Sequence, residues 1–429
     1  MAKKVEKPRR EFTKRQLSRW QQQKKRQRII FGAAILIILA VLGVVSAGIY
    51  ITKYLPNKPL HETVIEVNDT KFDMEYYIKM LECYCNLQGL PTAYAQYIAD
   101  GVIQTIEQGE LIRQEAGKLG ISVSDDEVDE ALNSYDPPLS EDYRDIYRDI
   151  IRTQMLLERL RNEYFDQKVP TYAAQRHIWA MFLESESQAN EVRARLEAGE
   201  DFAALAGELS LDTTCKAKEG DLGWRPEGVL SSLILSSVLE ENAFSCEVGV
   251  LSQPICEETK IKIVGYWLIK VLSRDVEAKT ASVEVMLLGS EQEANEVRAR
   301  LEAGEDFATL AGEFSQHIAS KENGGAFEVT SGGTVSSVFD EFVFDPEVEL
   351  ETLSQPIRDD TMSTKGGCWL IKVTEIDNNR QISDDDRELL KSDALNKWVE
   401  GLFDKPENKV VSYLDEEKKM WAIMYILGG

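Results

Sequence analysis

Apolar residues along this chain change spacing several times, and each change predicts a different element. Residues 29–51 (IIFGAAILIILAVLGVVSAGIYI) run without a charge; at 1.5 Å per residue they span roughly 34 Å, enough for a hydrocarbon core of about 30 Å. After a short strand-and-turn phrase, VIEVNDTKFD, the spacing becomes helical, with Ile103, Ile106, Leu111, Ile112 and Ala116 on one face and Gly120 as the stop. Ser124 ahead of Asp125, Asp126 and Glu127 predicts a new helix start, where carboxylates favour the dipole. Another helix is predicted over 142–165, leading to Pro170. GYWLIKV (265–271) and GCWLIKV (367–373) alternate as strands. Beyond residue 383, Leu389, Leu390, Leu395, Trp398, Leu402 and Phe403 form a helical stripe stopped by Pro406, and KKMWAIMYIL follows. Short helices of this kind are marginal alone, so the tail is predicted to dock.

The middle of the chain is written twice. ANEVRARLEAGEDFAALAGELS (189–210) returns at 294–315 with changes only at Ala204, against Thr309, and Leu209, against Phe314. LSQPI (251–255) returns at 353–357, and WLIKV (267–271) at 369–373. A unit of about a hundred residues is a tandem domain, too long for a solenoid repeat of about 20 to 50. In each copy a strand precedes two helices, the second capped by Asp201 in copy one, and two strands close the sheet: a small α+β domain.

Charge gives the chain a direction. Residues 1–28 hold twelve Lys or Arg against Glu6 and Glu11, a net of +10, so that a chain of −25 leaves −35 on the remaining 401 of its 429 residues. The positive-inside rule leaves the N-terminus in the cytoplasm and the acidic body outside. An uncleaved anchor is expected over a cleaved signal with Val45-Ser46-Ala47 as its site, because a secretory signal has only about 7 to 15 apolar residues. An acidic body repels phosphates, which argues against nucleic acid. Cys83 and Cys85 are two apart on a predicted helix and form no redox pair; Cys215, Cys246, Cys256 and Cys368 lie where disulfides are permitted, with no pairing readable. His61, His177 and His317 lack zinc-ligand spacing, and no metal or other cofactor is expected.

The succession EVNDTKFD, a helix, LIRQEAGKLGISVSDDEVDEAL and a helix leading into QRHI resembles the N-terminal chaperone region of the SurA and PrsA family of bacterial extracytoplasmic foldases. The repeats, with DFAxLAxExS, GDLGW and a terminal xIKV strand, resemble parvulin-type peptidyl-prolyl isomerase domains. Charge and hydropathy give a basic cytoplasmic arm (1–28) and a transmembrane helix (29–51); the resemblance, which runs from residue 61 onward, implies an α+β protein with a mainly helical chaperone region (61–172). Parvulin-like domains follow at 173–275 and 280–377, the second degenerate, and C-terminal helices (383–429) complete the chaperone lobe. The resemblance also implies unfolded or proline-containing polypeptides as partners, and the apolar run with its basic arm implies a single-pass location in the bacterial cell membrane.

Parvulins resemble a common design, with a histidine on the first strand, a Cys or Asp before GDLG, a second histidine on the last strand and an apolar proline pocket. In copy one this implies His177 and Asp212 as catalytic residues, with Leu235, Leu239 and Phe244 at the pocket and Trp267 in place of the second histidine. In copy two, Glu284 is taken for the first histidine, His317 falls near the loop acid, Trp369 replaces the last histidine, and Val335, Phe339 and Phe344 line a socket. Read singly, His177 is equally a hydrogen-bonded strand histidine, Asp212 a turn or cap, and the phenylalanines core. The expectation is a foldase with weak prolyl isomerisation in copy one, dependent on His177 and Asp212. The alternative is a non-enzymatic holdase or scaffold.

Overall fold

The computed structural model describes residues 58–428 apart from Pro137 and Thr334; the apolar run 29–51 lies outside them. Among the described residues no helix is long and apolar enough to cross a membrane. Contacts divide the chain into two units, one up to Glu158 together with the residues from Val399 on, the other Arg159–Trp398.

The first unit opens with the hairpin β1 (Thr63–Val67) and β2 (Thr70–Asp73). Asp73 then caps α1 (Met74–Leu87) by accepting the Tyr76 N–H at 3.0 Å. The periodic stretch ending at Gly120 is α2 (Ala95–Lys118). Ser124 and Glu127 form a reciprocal capping box at the start of α3 (Asp125–Asn133), and α4 (Arg144–Arg159) follows. Arg113 of α2 reaches Asp149 of α4 at 2.7 Å, tying the helices together across their polar edge.

In the second unit each repeat runs strand, two helices, short helix, strand, then two helices in copy one or one in copy two, and a long strand. Copy one comprises β3 (Tyr172–Leu183), α5 (Glu186–Glu197), α6 (Phe202–Leu209), α7 (Thr213–Ala217), β4 (Asp221–Pro226), α8 (Leu230–Ile234), α9 (Ser237–Ser245) and β5 (Ile255–Asp275). Copy two comprises β6 (Thr280–Leu288), α10 (Glu291–Glu302), α11 (Phe307–Phe314), α12 (Ile318–Lys321), β7 (Ala326–Thr330), α13 (Ser337–Phe344) and β8 (Ile357–Gln381). Asp201 and Asp306 cap α6 and α11 identically, each accepting a backbone N–H at 2.9 Å.

All six strands join one antiparallel sheet in the order β4-β3-β8-β5-β6-β7. The last strand of copy two therefore lies against the first strand of copy one, and the last strand of copy one against the first of copy two. β5 and β8 pair with one another over their N-terminal halves, joined by the disulfide Cys256–Cys368. Gly367 passes so close to β3 that a Cβ would sit 2.4 Å from the Leu183 carbonyl oxygen, leaving room only for glycine.

The tail divides where the sequence suggests one docked piece. In α14 (Asp384–Glu400), Arg387 reaches Asp166 at 2.6 Å and Asp386 pairs with Arg225, which holds its first turns in the second unit. From Val399 the chain belongs to the first unit, where β9 (Val410–Ser412) adds to β1 and α15 (Glu416–Gly428) packs on α1 and α2. Asn68 accepts the Lys409 N–H at 2.7 Å, and Lys405 pairs with Glu115.

Candidate functional site

Strand alternation sorts the residues around copy one onto two faces. Ile178, Ala180 and Phe182 of β3 face a cluster containing Cys215, Leu222, Leu239 and Ala243, with Phe244 packed at its edge. Trp369, Ile371 and Val373 complete this cluster, and all three come from copy two. The corresponding cluster of copy two holds Val283, Val285, Leu287, Phe339 and Val343, with Val335 and Phe344 packed against it. It is completed by Trp267, Ile269 and Val271 of copy one.

At the polar end of this first apolar cluster, the expected socket of copy one, Asp212 caps α7 by accepting the Cys215 N–H at 2.9 Å and is only 8% exposed. Its other oxygen meets Lys260 Nζ at 2.9 Å. The Lys260 ammonium also donates to the Ile234 carbonyl and lies 5.5 Å from the centre of the Trp369 ring, a cation–π distance. Trp369 in turn donates its indole N–H to Glu257 at 2.8 Å, and Glu257 accepts the Ser236 hydroxyl at 2.6 Å. Burial drives the neighbouring Cys215 thiol well above its ordinary pKa, so it is held neutral.

The second socket keeps the frame and changes the charges. Trp267 donates to Asp359 at 3.1 Å, and Ser336 donates to the same carboxylate. Burial pushes the Asp359 carboxyl up, but hydrogen bonds from Ser336, Thr361 and Trp267 outweigh it and hold the pKa below the usual value. His317 stands where Asp212 does, hydrogen-bonded to Ser320 at 2.9 Å and edge-on to Trp267 and Phe327. Met362 stands where Lys260 does, so this socket has no ion pair at its polar end.

Desolvation lowers the His317 pKa. The folded state then binds fewer protons than the unfolded chain, whose histidine titrates near 6.5. Stability from the neutral ring is thus present above that pH and lost as pH falls below it. Thermal midpoints measured between about pH 7.5 and about pH 5.5 should therefore fall less for His317→Gln than for the wild type; an equal fall in both would contradict a buried neutral ring.

Four expected placements change, those of His177, Glu284, Trp267 and Trp369, the last lying in the cluster of copy one. His177 lies on the opposite face of β3 from Phe244, because it neighbours Ile178 and strand side chains alternate. Its Nε2 meets Asp221 at 2.8 Å, its ring stacks on Trp224, and it shares no hydrogen bond or ring contact with Asp212. Beyond its neighbour Trp179, that face holds a cleft of about 530 Å³ lined by Phe202, Leu251 and Lys372. Glu284 does not correspond to His177: β3 pairs His177 with Glu375, and the equivalent pair on β6 is Ser282 with Ser273. Trp267 sits in the socket of copy two, 5.0 Å from Phe339, since β5 pairs with β6. Leu239 is buried in the first cluster, while Leu235 at the end of α8 has φ +57° and is 79% exposed. Lys260 belongs to no motif; its one signal in the sequence is a lysine where the other copy has Met362.

Residues 183–273 and 266–377 each match a PPIC-type PPIase domain, and residues 21–146 match a SurA-like N-terminal domain. The chain carries a SurA-like domain and two PPIC-type domains. Foldase protein PrsA of Caldanaerobacter subterraneus is 32% identical over 193 residues, spanning 41% of this chain and 58% of that protein. Chaperone SurA of Alcanivorax borkumensis is 26% identical over 320 residues, 69% of this chain and 63% of that one. The crystal structure of peptidylprolyl isomerase (PrsA) from Bacillus anthracis shares 12% identity over 75% of this chain and 94% of its own, with a TM-score of 0.29.

Proposed function

We propose that this chain is an extracytoplasmic foldase, held to the bacterial membrane by residues 29–51, that binds unfolded proline-containing polypeptides and isomerises X-Pro bonds in its first socket. The observation that carries the reading is the Asp212–Lys260 pair, nearly buried beside an apolar cluster that includes Leu239 and has Phe244 packed against it. Rotation about a prolyl bond needs no covalent step, only relief of a barrier of roughly 18 to 20 kcal/mol. Leu235, Leu239 and Phe244 hold the ring, while the ammonium and carboxylate stabilise the twisted amide away from water. His177, on the other face, serves the fold through Asp221 and Trp224. The second socket, without an ion pair and lined by Phe339 and Phe344, serves as a binding module.

The test is prolyl isomerisation of a proline-containing peptide by the full chain. Asp212→Asn, which keeps the helix cap, should cost about a hundredfold in kcat/KM, the scale of a lost polar catalyst, with peptide affinity retained. His177→Ala should leave turnover unchanged. An unaffected Asp212→Asn enzyme would remove the proposed site, and absence of activity in the wild type would favour a holdase.

A further inference from the structure

We infer that the two repeats are an intramolecular strand-exchanged pair, each socket closed by the tryptophan strand of the other repeat, with the Cys256–Cys368 disulfide as the covalent bond that fixes the exchange. The inference concerns the frame of both sockets and holds whether or not either one isomerises.

A repeat closed on itself would turn back after LSQPI so that its own WLIKV strand lay beside its own first strand. Here 255–275 and 357–381 run on as single strands. Their pairing has approximate two-fold symmetry, because Lys262 faces Thr364 and these are equivalent positions of the two repeats. Contacts across the axis repeat in kind: Lys262 donates to the Gly366 carbonyl, and Thr364 donates to that of Val264, the equivalent residue. Such an interface is self-complementary, as in a two-fold dimer. The four-residue link from Asp275 to Thr280 makes β5 and β6 a hairpin, with Asp275 accepting the N–H groups of Glu277 and Ala278. This local connection holds the last strand of copy one beside the first strand of copy two.

The positions at which the repeats differ discriminate between the two closures. Cys256 is equivalent to Arg358, and Cys368 to Tyr266. Self-closed repeats would set Cys256 opposite Tyr266 and Arg358 opposite Cys368, leaving both thiols unpaired. The exchanged register sets cysteine against cysteine and Arg358 against Tyr266. Both pairs are chemically matched: the thiols form a disulfide, and Arg358 donates to the Tyr266 hydroxyl at 2.8 Å while its guanidinium lies 5.7 Å from the ring centre. Tyr266 donates onward to Glu184 at 3.0 Å, so the exchange also carries a buried polar chain.

The experiment is peptide mapping of the full chain under non-reducing conditions, with free thiols alkylated before digestion. A link between the peptides of Cys256 and Cys368 in a monomeric protein is expected, with Cys83, Cys85, Cys215 and Cys246 alkylated once the chain is unfolded. In a Tyr266→Cys variant the native link should persist and the new thiol should be alkylated; transfer of the bond from Cys368 to the new thiol would show self-closure and overturn the exchange. Recovery of both native thiols free would overturn the lock. In that event, copper-phenanthroline oxidation of Tyr266→Cys/Arg358→Cys in a Cys256→Ser/Cys368→Ser background decides the exchange itself: a cross-link within one chain upholds it, and no cross-link overturns it. A disulfide found only between two chains would overturn its intramolecular form.

Discussion

Trp369→Ala should lower the thermal midpoint of the repeat unit by roughly 10 °C. The indole is fully buried, packs 4.7 Å from the Phe182 ring and donates to Glu257. Truncating such a side chain to alanine costs about 3 to 5 kcal/mol in transfer and cavity terms. For a unit of 240 residues each kcal/mol shifts the midpoint by about 2 to 4 °C. Trp267→Ala should cost about as much, since that ring is equally buried and donates to Asp359. Circular dichroism melts decide the point, and a shift below about 3 °C for either variant would mean that its cavity collapses or that the ring is not packed as described.

Lys260→Met should destabilise the protein by about 3 to 5 kcal/mol, because it leaves Asp212 buried without its counter-charge. The second repeat shows how this loss can be compensated, since His317 and Met362 stand at the equivalent positions. Combining Lys260→Met with Asp212→His should therefore recover most of the loss, a coupling measured by a double-mutant cycle in urea. If the double variant is no more stable than Lys260→Met alone, the two positions are not coupled and the ion pair is not what holds the polar end of the first socket.

Much of this architecture was legible because it is local. Ser124 with Glu127, and Asp201 with its repeat Asp306, announce helix starts through hydrogen bonds made within three residues. The alternation in both WLIKV strands gives their buried faces directly. Which strand each would join was not legible, because MFL and MLL offer the two WLIKV strands equivalent apolar faces. Alternation constrains face and leaves the partner open. Only positions where the repeats disagree, such as Cys256 against Arg358, distinguish the pairings, and a cysteine names its partner only once geometry is known. Glu284 fails as the counterpart of His177 for a different reason: the repeat spacing of 105 residues, from Ala189 to Ala294, makes Ser282 the equivalent of His177 and Glu284 that of Trp179.

The strand pairings also dictate an order of assembly. The β5–β6 hairpin closes over four residues, β3 meets β8 with Tyr172 opposite Gln381, and β1 meets β9 with Ile65 opposite Ser412. These closures are nested like brackets, and the entropy of joining distant segments rises with the length of unstructured chain between them. Closing the inner pair first shortens the effective loop for the next, so the chain should zip from its middle outward. During vectorial synthesis the amino-terminal lobe emerges early yet lacks β9 and α15 until both repeats have been made. The faces of α1 and α2 that α15 covers must therefore wait, uncovered, for about 300 residues of further chain, from Lys118 to Glu416.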